Sequence, residues 1–142
     1  MFRNIKTAVS GFIQYRGETH FAFLMHRIAG LATIAFLTLH ILTTSTVFFA
    51  PQWYDVLIQI FRNPLVMIIE IILAFFVIYH GVNGLRLAYV DLFRPDLWEK
   101  NTTPKMVKRV LLIALILWLP ALAIMGYNLL HYGLGWVGVI RW

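Results

Sequence analysis

Three long apolar stretches alternate with polar or proline-containing segments along the 142-residue chain. The apolar stretches cover about residues 21–50, 64–90 and 107–130. Each is longer than the about 20 residues that an α-helix needs to cross the hydrocarbon core of a bilayer. This pattern predicts an all-α integral membrane protein with three transmembrane helices, and we expect residues 1–142 to form a single membrane-anchor domain.

Proline positions help to define these predicted helices. The first stretch ends at a proline, and Pro64 suits the first turn of the second helix. Residues 52–63 predict a short connection whose aromatic pair, Trp53 and Tyr54, lies at the membrane interface. Pro120 falls in the middle of the third stretch and predicts a kink there.

The two terminal segments are expected to stay near the membrane surface. Residues 1–20 place apolar side chains at helical spacing between basic ones. This is typical of an amphipathic segment on the membrane surface, or of a tail docked on a partner protein. Residues 131–142 are apolar and glycine-rich and end in Trp142, which favours an interfacial position.

The composition supports the membrane assignment and limits the possible chemistry. Hydrophobic residues make up 61% of the chain, charged residues only 13%, and the mean hydropathy is +0.77. A soluble domain is closer to half apolar and a quarter charged, so a soluble enzyme and a disordered tail are excluded. Cysteine is absent from the sequence. Any metal chemistry must therefore rest on histidine or carboxylate side chains.

The distribution of basic residues predicts the orientation in the membrane. A net charge of +6 would suggest nucleic-acid binding in a soluble protein, but here we expect no nucleic-acid partner, because basic residues collect on the cytoplasmic side of membrane spans. The bias places the N-terminus and the second connection inside and the C-terminus outside. The basic residues of the N-terminal segment are Arg3, Lys6 and Arg16, those of the second connection are Arg94, Lys100, Lys105, Lys108 and Arg109, and the first connection and the C-terminal tail have only Arg62 and Arg141.

Five ionisable residues lie inside the predicted spans: His26, Arg27, His40, Glu70 and His80. Such residues are costly in hydrocarbon, and they face protein, water or a cofactor. Glu70 is expected to be either buried and protonated or part of a proton route to the outer face. Arg27 is placed to bind an anionic or carbonyl-bearing group, or to extend towards lipid phosphate.

His80 and His40 are the candidate metal ligands. A buried neutral imidazole is a good axial ligand for haem iron, and ligation by two histidines suits electron transfer. Gly84, one turn beyond His80, leaves room for a flat ring or for another helix. The competing interpretation is that both histidines only hydrogen-bond to neighbouring helices. His20 and His131 are expected at or outside the span ends, where ligation is not predicted.

The depths of His40 and His80 indicate that they do not share one iron. His40 lies 11 residues from Pro51 and His80 lies 16 residues from Pro64. At 1.5 Å per residue these positions are about 16 Å and about 24 Å below the outer boundary, an offset of roughly 8 Å.

At the inner end of the second helix, Arg86 and Asp91 could pair with each other or with another subunit.

Taken together, these motifs resemble the cytochrome b membrane-anchor subunit of succinate dehydrogenase (respiratory complex II). The resemblance covers about residues 15 to 130. It rests on HRIAGLATIAFLTLH in the first span and on the spacing His80-x-x-x-Gly84-x-Arg86-x-x-x-x-Asp91 in the second. The sequence departs from the family's single-haem members at Phe23, where they often have serine, and a proximal quinone site of that kind is therefore not expected.

The resemblance implies specific cofactors and partners. It implies a haem b ligand at His80 and contacts to a quinone or a haem propionate from His26 and Arg27. His40 resembles the extra first-span histidine of two-haem members, which commonly reduce menaquinone and share both haems with a second small anchor subunit. We place Gly84, Arg86, Asp91 and Glu70 among the cofactor-binding residues.

An iron–sulfur subunit and a flavoprotein subunit would complete the complex at the inner face of a bacterial cytoplasmic membrane. Two alternatives remain: an anchor of fumarate reductase or of another quinone-linked complex, and a haem-free membrane scaffold.

Overall fold

The fold is taken from a computed structural model that describes residues 18–98 and 103–135. All secondary-structure elements within these two ranges are helical. Residues 1–17 of the predicted surface segment and residues 136–142 of the C-terminal tail lie outside the described residues. In chain order the elements are α1 (Glu18–Phe49), α2 (Pro51–Phe61), α3 (Pro64–Phe93), a 3₁₀ turn (Pro95–Trp98), α4 (Thr103–Asn128) and a π-helical turn (Leu129–Leu134).

Three of these helices are long and apolar enough to cross a membrane, as the sequence predicted. The candidate spans are His20–Phe49, Pro64–Phe93 and Lys105–Leu134, each of 30 residues. At 1.5 Å per residue each is about 45 Å long, which exceeds the roughly 30 Å of hydrocarbon. The protein is therefore an all-α, multi-pass membrane protein.

The connection predicted at residues 52–63 is largely helical. Its 11-residue helix α2 begins at Pro51, which occupies the first helical turn, where a missing N–H costs nothing. The next helix starts almost at once, because the Asn63 side chain accepts a hydrogen bond from the Leu65 amide at 3.0 Å and caps α3. Sequence reasoning missed α2 because its polar residues suggested a loop, although its polar and apolar positions alternate with helical periodicity.

Helix α4 continues through Pro120 as far as Asn128 and then widens into the π-helical turn. Pro120 lies inside this helix, and the kink expected there stays a prediction. Gly133 in the π turn packs against the start of α3. A Cβ placed on it would lie 2.9 Å from the Met67 sulfur and 3.7 Å from the Pro64 Cα.

Helix α3 is the central element and packs against both α1 and α4. Small residues make these contacts possible, because hydrocarbon provides no hydrophobic drive for helices to associate and close backbone approach must replace it. On the α4 side, the Trp118 indole N–H donates to the Ile71 carbonyl at 3.1 Å. The three long helices meet at a small buried core formed by Ala29 of α1, Tyr79 of α3, and Val110 and Ala114 of α4.

Candidate functional site

Two histidines from different spans are stacked on each other where α1 crosses α3. The rings of His26 and His80 have their centroids 4.3 Å apart and are inclined by only 9°. Each histidine is followed four residues later by a glycine, Gly30 on α1 and Gly84 on α3. Because the helices are antiparallel neighbours, each glycine lies opposite the other helix's histidine. We call this arrangement the histidine crossing.

The His80 ring is held in a defined orientation by the backbone of α1. Its Nδ1 lies 3.3 Å from the His26 carbonyl oxygen, at the long end of the range for such a bond. A carbonyl oxygen only accepts, so this contact requires the proton on Nδ1. In a neutral imidazole the Nε2 lone pair is then left for another partner. This is the arrangement of a metal-ligating histidine, whose second nitrogen donates to a backbone carbonyl or carboxylate.

The two glycines of the crossing are not equivalent. A Cβ on Gly30 would lie 3.0 Å from His80 Cε1 and 3.3 Å from His80 Nδ1, whereas a Cβ on Gly84 would meet only His26 Cε1, at 3.9 Å. The group that packs closely against a glycine is therefore the His80 ring itself. The sequence analysis gave Gly84 the role of leaving room for a flat ring or another helix and gave Gly30 no role, although both follow a histidine at the same spacing.

Two buried donors near the crossing have no hydrogen-bond partner within the part of the chain that the structure describes. These are His26 Nδ1 and Arg86 Nε. Buried polar atoms in proteins are nearly always paired, because an unpaired one costs about 1–3 kcal/mol. Both atoms are thus available to a group that the chain itself does not supply.

Arg86 belongs to a polar cluster at the C-terminal end of α3. Its Nη1 donates to Asn83 Oδ1 at 3.2 Å, and its guanidinium lies 5.8 Å from the centroid of the Trp98 ring. Trp98 in turn donates from its indole nitrogen to Asp91 Oδ1 at 3.0 Å. Arg86 and Asp91 are therefore linked through Trp98, and the direct pair that the sequence allowed does not form. Sequence reasoning missed Asn83, which is only 2% exposed. A polar amide inside a membrane span is itself an indication of a buried polar contact.

The turn that follows α3 carries an ion pair at the membrane boundary. Arg94 Nη2 lies 2.8 Å from Asp96 Oδ2, and both side chains are about half exposed. The hydrogen bond from Arg94 lowers the pKa of the Asp96 carboxyl.

Arg27 lies on an exposed face of α1, next to His26 in sequence but turned away from α3. Its guanidinium lies 5.0 Å from the centroid of the Phe23 ring, an ordinary cation–π contact. Phe23, where the sequence departs from the serine expected in single-haem members, thus supplies the face on which Arg27 rests.

The remaining two candidates, His40 and Glu70, line one cavity at the other end of α1 and α3. The cavity has a volume of about 530 Å³ and is bounded by α1, α2 and α3. His40 is exposed to it, and the His40 ring is stacked on Phe36 with centroids 5.5 Å apart. Its lining residues are mostly apolar and include Thr43, Thr44, Tyr54, Ile58, Phe61 and Leu73.

Helix α2 forms one wall of this cavity through Tyr54, Ile58 and Phe61, which recur on one face. The sequence placed Tyr54 at the membrane interface, and the structure adds that it faces the cavity. Thr44 Oγ1 donates to the His40 carbonyl at 2.7 Å, so its proton is used within α1 and its oxygen can still accept.

The histidine crossing and the cavity lie at different depths. His40 follows His26 by 14 residues on α1, and His80 follows Glu70 by 10 residues on α3. At 1.5 Å per residue these spacings are about 21 Å and about 15 Å. His80 is stacked on His26, so it lies far from His40, and the separation exceeds the roughly 8 Å offset predicted by counting from the prolines.

The residues present fit haem better than a metal ion bound by side chains alone. Among the described residues, no group of three or more His, Cys, Asp or Glu side chains comes together as a metal site. Haem iron needs only one axial ligand from each side, because the macrocycle supplies the other four. His80 has one ring nitrogen held by a carbonyl, and His40 faces an open apolar cavity.

Comparison with known families decides the assignment. Residues 6–130 match the model for the succinate dehydrogenase/fumarate reductase transmembrane subunit. The chain belongs to this family. The match includes the first two spans, most of the third, the histidine crossing and the cavity. It agrees with the family resemblance derived from the motifs.

A curated relative supports the same placement within the family. The chain is 28% identical over 120 residues to the succinate dehydrogenase 2 membrane subunit SdhC of Mycobacterium tuberculosis. The alignment covers 81% of this chain and 83% of the relative. The alignment therefore includes most of both chains.

Proposed function

We propose that this chain is the haem b-binding membrane-anchor subunit of a succinate dehydrogenase, and that it passes electrons from the iron–sulfur subunit to quinone. The observation that carries the proposal is the His80 imidazole, whose Nδ1 faces the His26 carbonyl at 3.3 Å and leaves Nε2 for iron. A histidine that only hydrogen-bonds between helices would make the same contact. The match to the succinate dehydrogenase/fumarate reductase transmembrane subunit favours the haem-bound interpretation.

The separation of the two candidate ligands supports two haems rather than one. His80 would hold an inner haem and His40 an outer haem, since about 15–21 Å of helix lies between the two positions. Each iron would take its second ligand from a second small anchor subunit. The large exposed apolar side chains of α1 and α3, such as Leu31 and Leu85, leave surface for such a partner.

Bound haem would supply one-electron transfer across the membrane, and the chain's own residues would set its surroundings. His80 and His40 would each provide one axial nitrogen. The unpaired donors His26 Nδ1 and Arg86 Nε would hydrogen-bond to a haem propionate or a quinone oxygen, with Arg27 near the membrane surface. Gly84 and Asp91 belong to the same inner site.

Glu70 would handle protons at the outer site. It shares the cavity with His40, Tyr54 and two threonines, which gives it hydroxyl neighbours in an otherwise apolar space. Quinone reduction consumes protons, so a carboxyl there can deliver or accept them. We propose menaquinone as the quinone, because His40 matches the extra histidine of two-haem members.

The complex would contain a flavoprotein and an iron–sulfur subunit in addition to the two anchors. The excess of basic residues before α1 and between α3 and α4 favours an N-terminus inside and a C-terminus outside. The soluble subunits would then dock at the inner face of a bacterial cytoplasmic membrane, close to the histidine crossing.

A fumarate reductase anchor is the main alternative, and the family description includes it. The same residues serve both directions, and the quinone potential decides between them. A haem-free scaffold is the other alternative. The test is a reduced-minus-oxidised absorption spectrum of the purified complex, for which we expect the bands of six-coordinate haem b. A complex with succinate–quinone activity and no haem bands would contradict the proposal.

A further inference from the structure

Gly30 makes the closest approach of any described glycine to a candidate ligand, and no role has been assigned to it so far. A Cβ at this position would lie 3.0 Å from His80 Cε1, 3.3 Å from Nδ1 and 3.9 Å from Nε2. The Cε1–Nδ1 edge of the His80 ring thus lies against α1 in the space that a side chain at position 30 would fill. The same ring reaches the His26 carbonyl one turn earlier on α1.

We propose that Gly30 is the positioning residue for His80: its missing side chain lets the ring lie on α1, donate from Nδ1 to the His26 carbonyl and present Nε2 to iron. This inference rests on the proposed function. It differs from the usual account of a glycine near haem, because here the glycine makes room for the ligand's own ring rather than for the macrocycle.

The His80 ring can move very little before its hydrogen bond to the His26 carbonyl is lost. The Nδ1–O distance of 3.3 Å is already long for a hydrogen bond, so a further shift of a few tenths of an ångström removes most of it. An alanine at position 30 forces a shift of that size on the side that carries Nδ1. The His26 ring, stacked at 4.3 Å on His80, limits the directions in which the ring can move.

The loss of this contact should shift the midpoint potential of the haem in a predictable direction. The hydrogen bond from Nδ1 makes the imidazole a more basic ligand, and a more basic ligand stabilises the oxidised iron. Weakening it therefore raises the midpoint potential of the haem that His80 holds. The other haem, held by His40, is unaffected.

The chain offers matched controls for this change. Gly81 and Gly126 also lie in helices, and a Cβ on either would meet nothing within 4 Å. Gly81 is adjacent to His80 on α3, so Gly81→Ala tests whether any extra methyl beside the ligand has the same effect. Gly126 is on α4, so Gly126→Ala tests the same added methyl away from the ligand.

The experiment is a redox titration, with low-spin EPR, of the complete complex carrying Gly30→Ala, Gly81→Ala, Gly126→Ala or no change. We expect Gly30→Ala to keep the wild-type haem content, to raise one midpoint potential and to move one EPR signal, the one that His80→Ala abolishes. The two control variants should match the wild type. A Gly30→Ala complex with wild-type potentials and spectrum would overturn the inference.

A second measurement decides the matter if Gly30→Ala does not assemble. In the reduced wild-type complex with ¹⁵N-labelled histidine, Nδ1 of the ligand should carry a hydrogen-bonded proton by NMR. Absence of that hydrogen bond would equally overturn the inference. A wild-type complex without haem would instead refute the proposed function, so the two failures are distinguishable.

Discussion

The two ends of α1 and α3 handle their histidines in opposite ways. At the histidine crossing, the rings of His26 and His80 are in contact and the helices approach closely. Around His40 the same two helices separate and α2 closes over a cavity of about 530 Å³. One histidine is held by its own chain, and the other faces space that its own chain leaves open.

The difference follows from the residues between the helices. At the crossing these are small, Gly30 and Ala29, and they let α3 approach so closely that a ring fills the remaining space. Around His40 the α1 residues that line the cavity include the bulky Phe36 and Leu39 as well as Ala32 and Ala35, and the helices leave space between them. The crossing can thus orient the candidate ligand His80 before a partner subunit binds. The orientation of His40, in contrast, depends on what occupies the cavity.

The largest expected effect is that of His80→Ala. It should remove one haem per complex and slow quinone reduction by at least about tenfold, because no other described residue presents an imidazole at the crossing in the required orientation. Haem absorbance per flavin and quinone reductase activity measure this. His131→Ala is the matched control and should keep both haems. An unchanged haem spectrum in His80→Ala would contradict the assignment of the crossing.

His40→Ala tests the other side of the comparison. We expect loss of the second haem with the first retained, and with the His80-dependent EPR signal unchanged. The reason is distance, since about 15–21 Å of helix separates the two positions. Loss of both haems together would mean that the two regions are not independent. Loss of neither would return His40 to a packing role.

Glu70→Gln separates ligand binding from proton handling in the cavity. The amide keeps the shape of the side chain but cannot transfer a proton, so both haems should stay while quinone reduction falls by up to about 10²-fold. Asp55→Asn on exposed α2 makes the same chemical change away from the cavity and should have no effect. Wild-type turnover of Glu70→Gln would exclude Glu70 from the proton route.

Arg27→Lys should have the smallest effect of the four. Lysine keeps the positive charge but loses the planar fork that can bind a carboxylate or carbonyl through two bonds. We expect about a tenfold higher KM for quinone, which corresponds to about 1.4 kcal/mol, with membrane insertion intact. Arg62→Lys, on the first connection, is the control. An unchanged KM at limiting quinone would favour pairing of Arg27 with lipid phosphate.

Much of the fold could be predicted from the sequence, because length and hydropathy suffice to locate helices that must satisfy their own backbone in hydrocarbon. Helix α2 could not be predicted from the sequence, because its polar residues resemble those of a loop. Candidate residues were found wherever a charge or imidazole interrupts an apolar run, as at His80. Gly30 and Asn83 were missed because their roles depend on which helix lies opposite them. The joint lining of one cavity by His40 and Glu70 likewise depends on helix packing.

The most direct test of the account is a pyridine-haemochrome assay on the purified wild-type complex, with covalent or acid-extracted flavin measured in the same sample. Two independent histidine sites predict two haems b per flavin. One haem per flavin would contradict this, and would make the crossing at His80 the sole haem site and the cavity at His40 a site for another ligand.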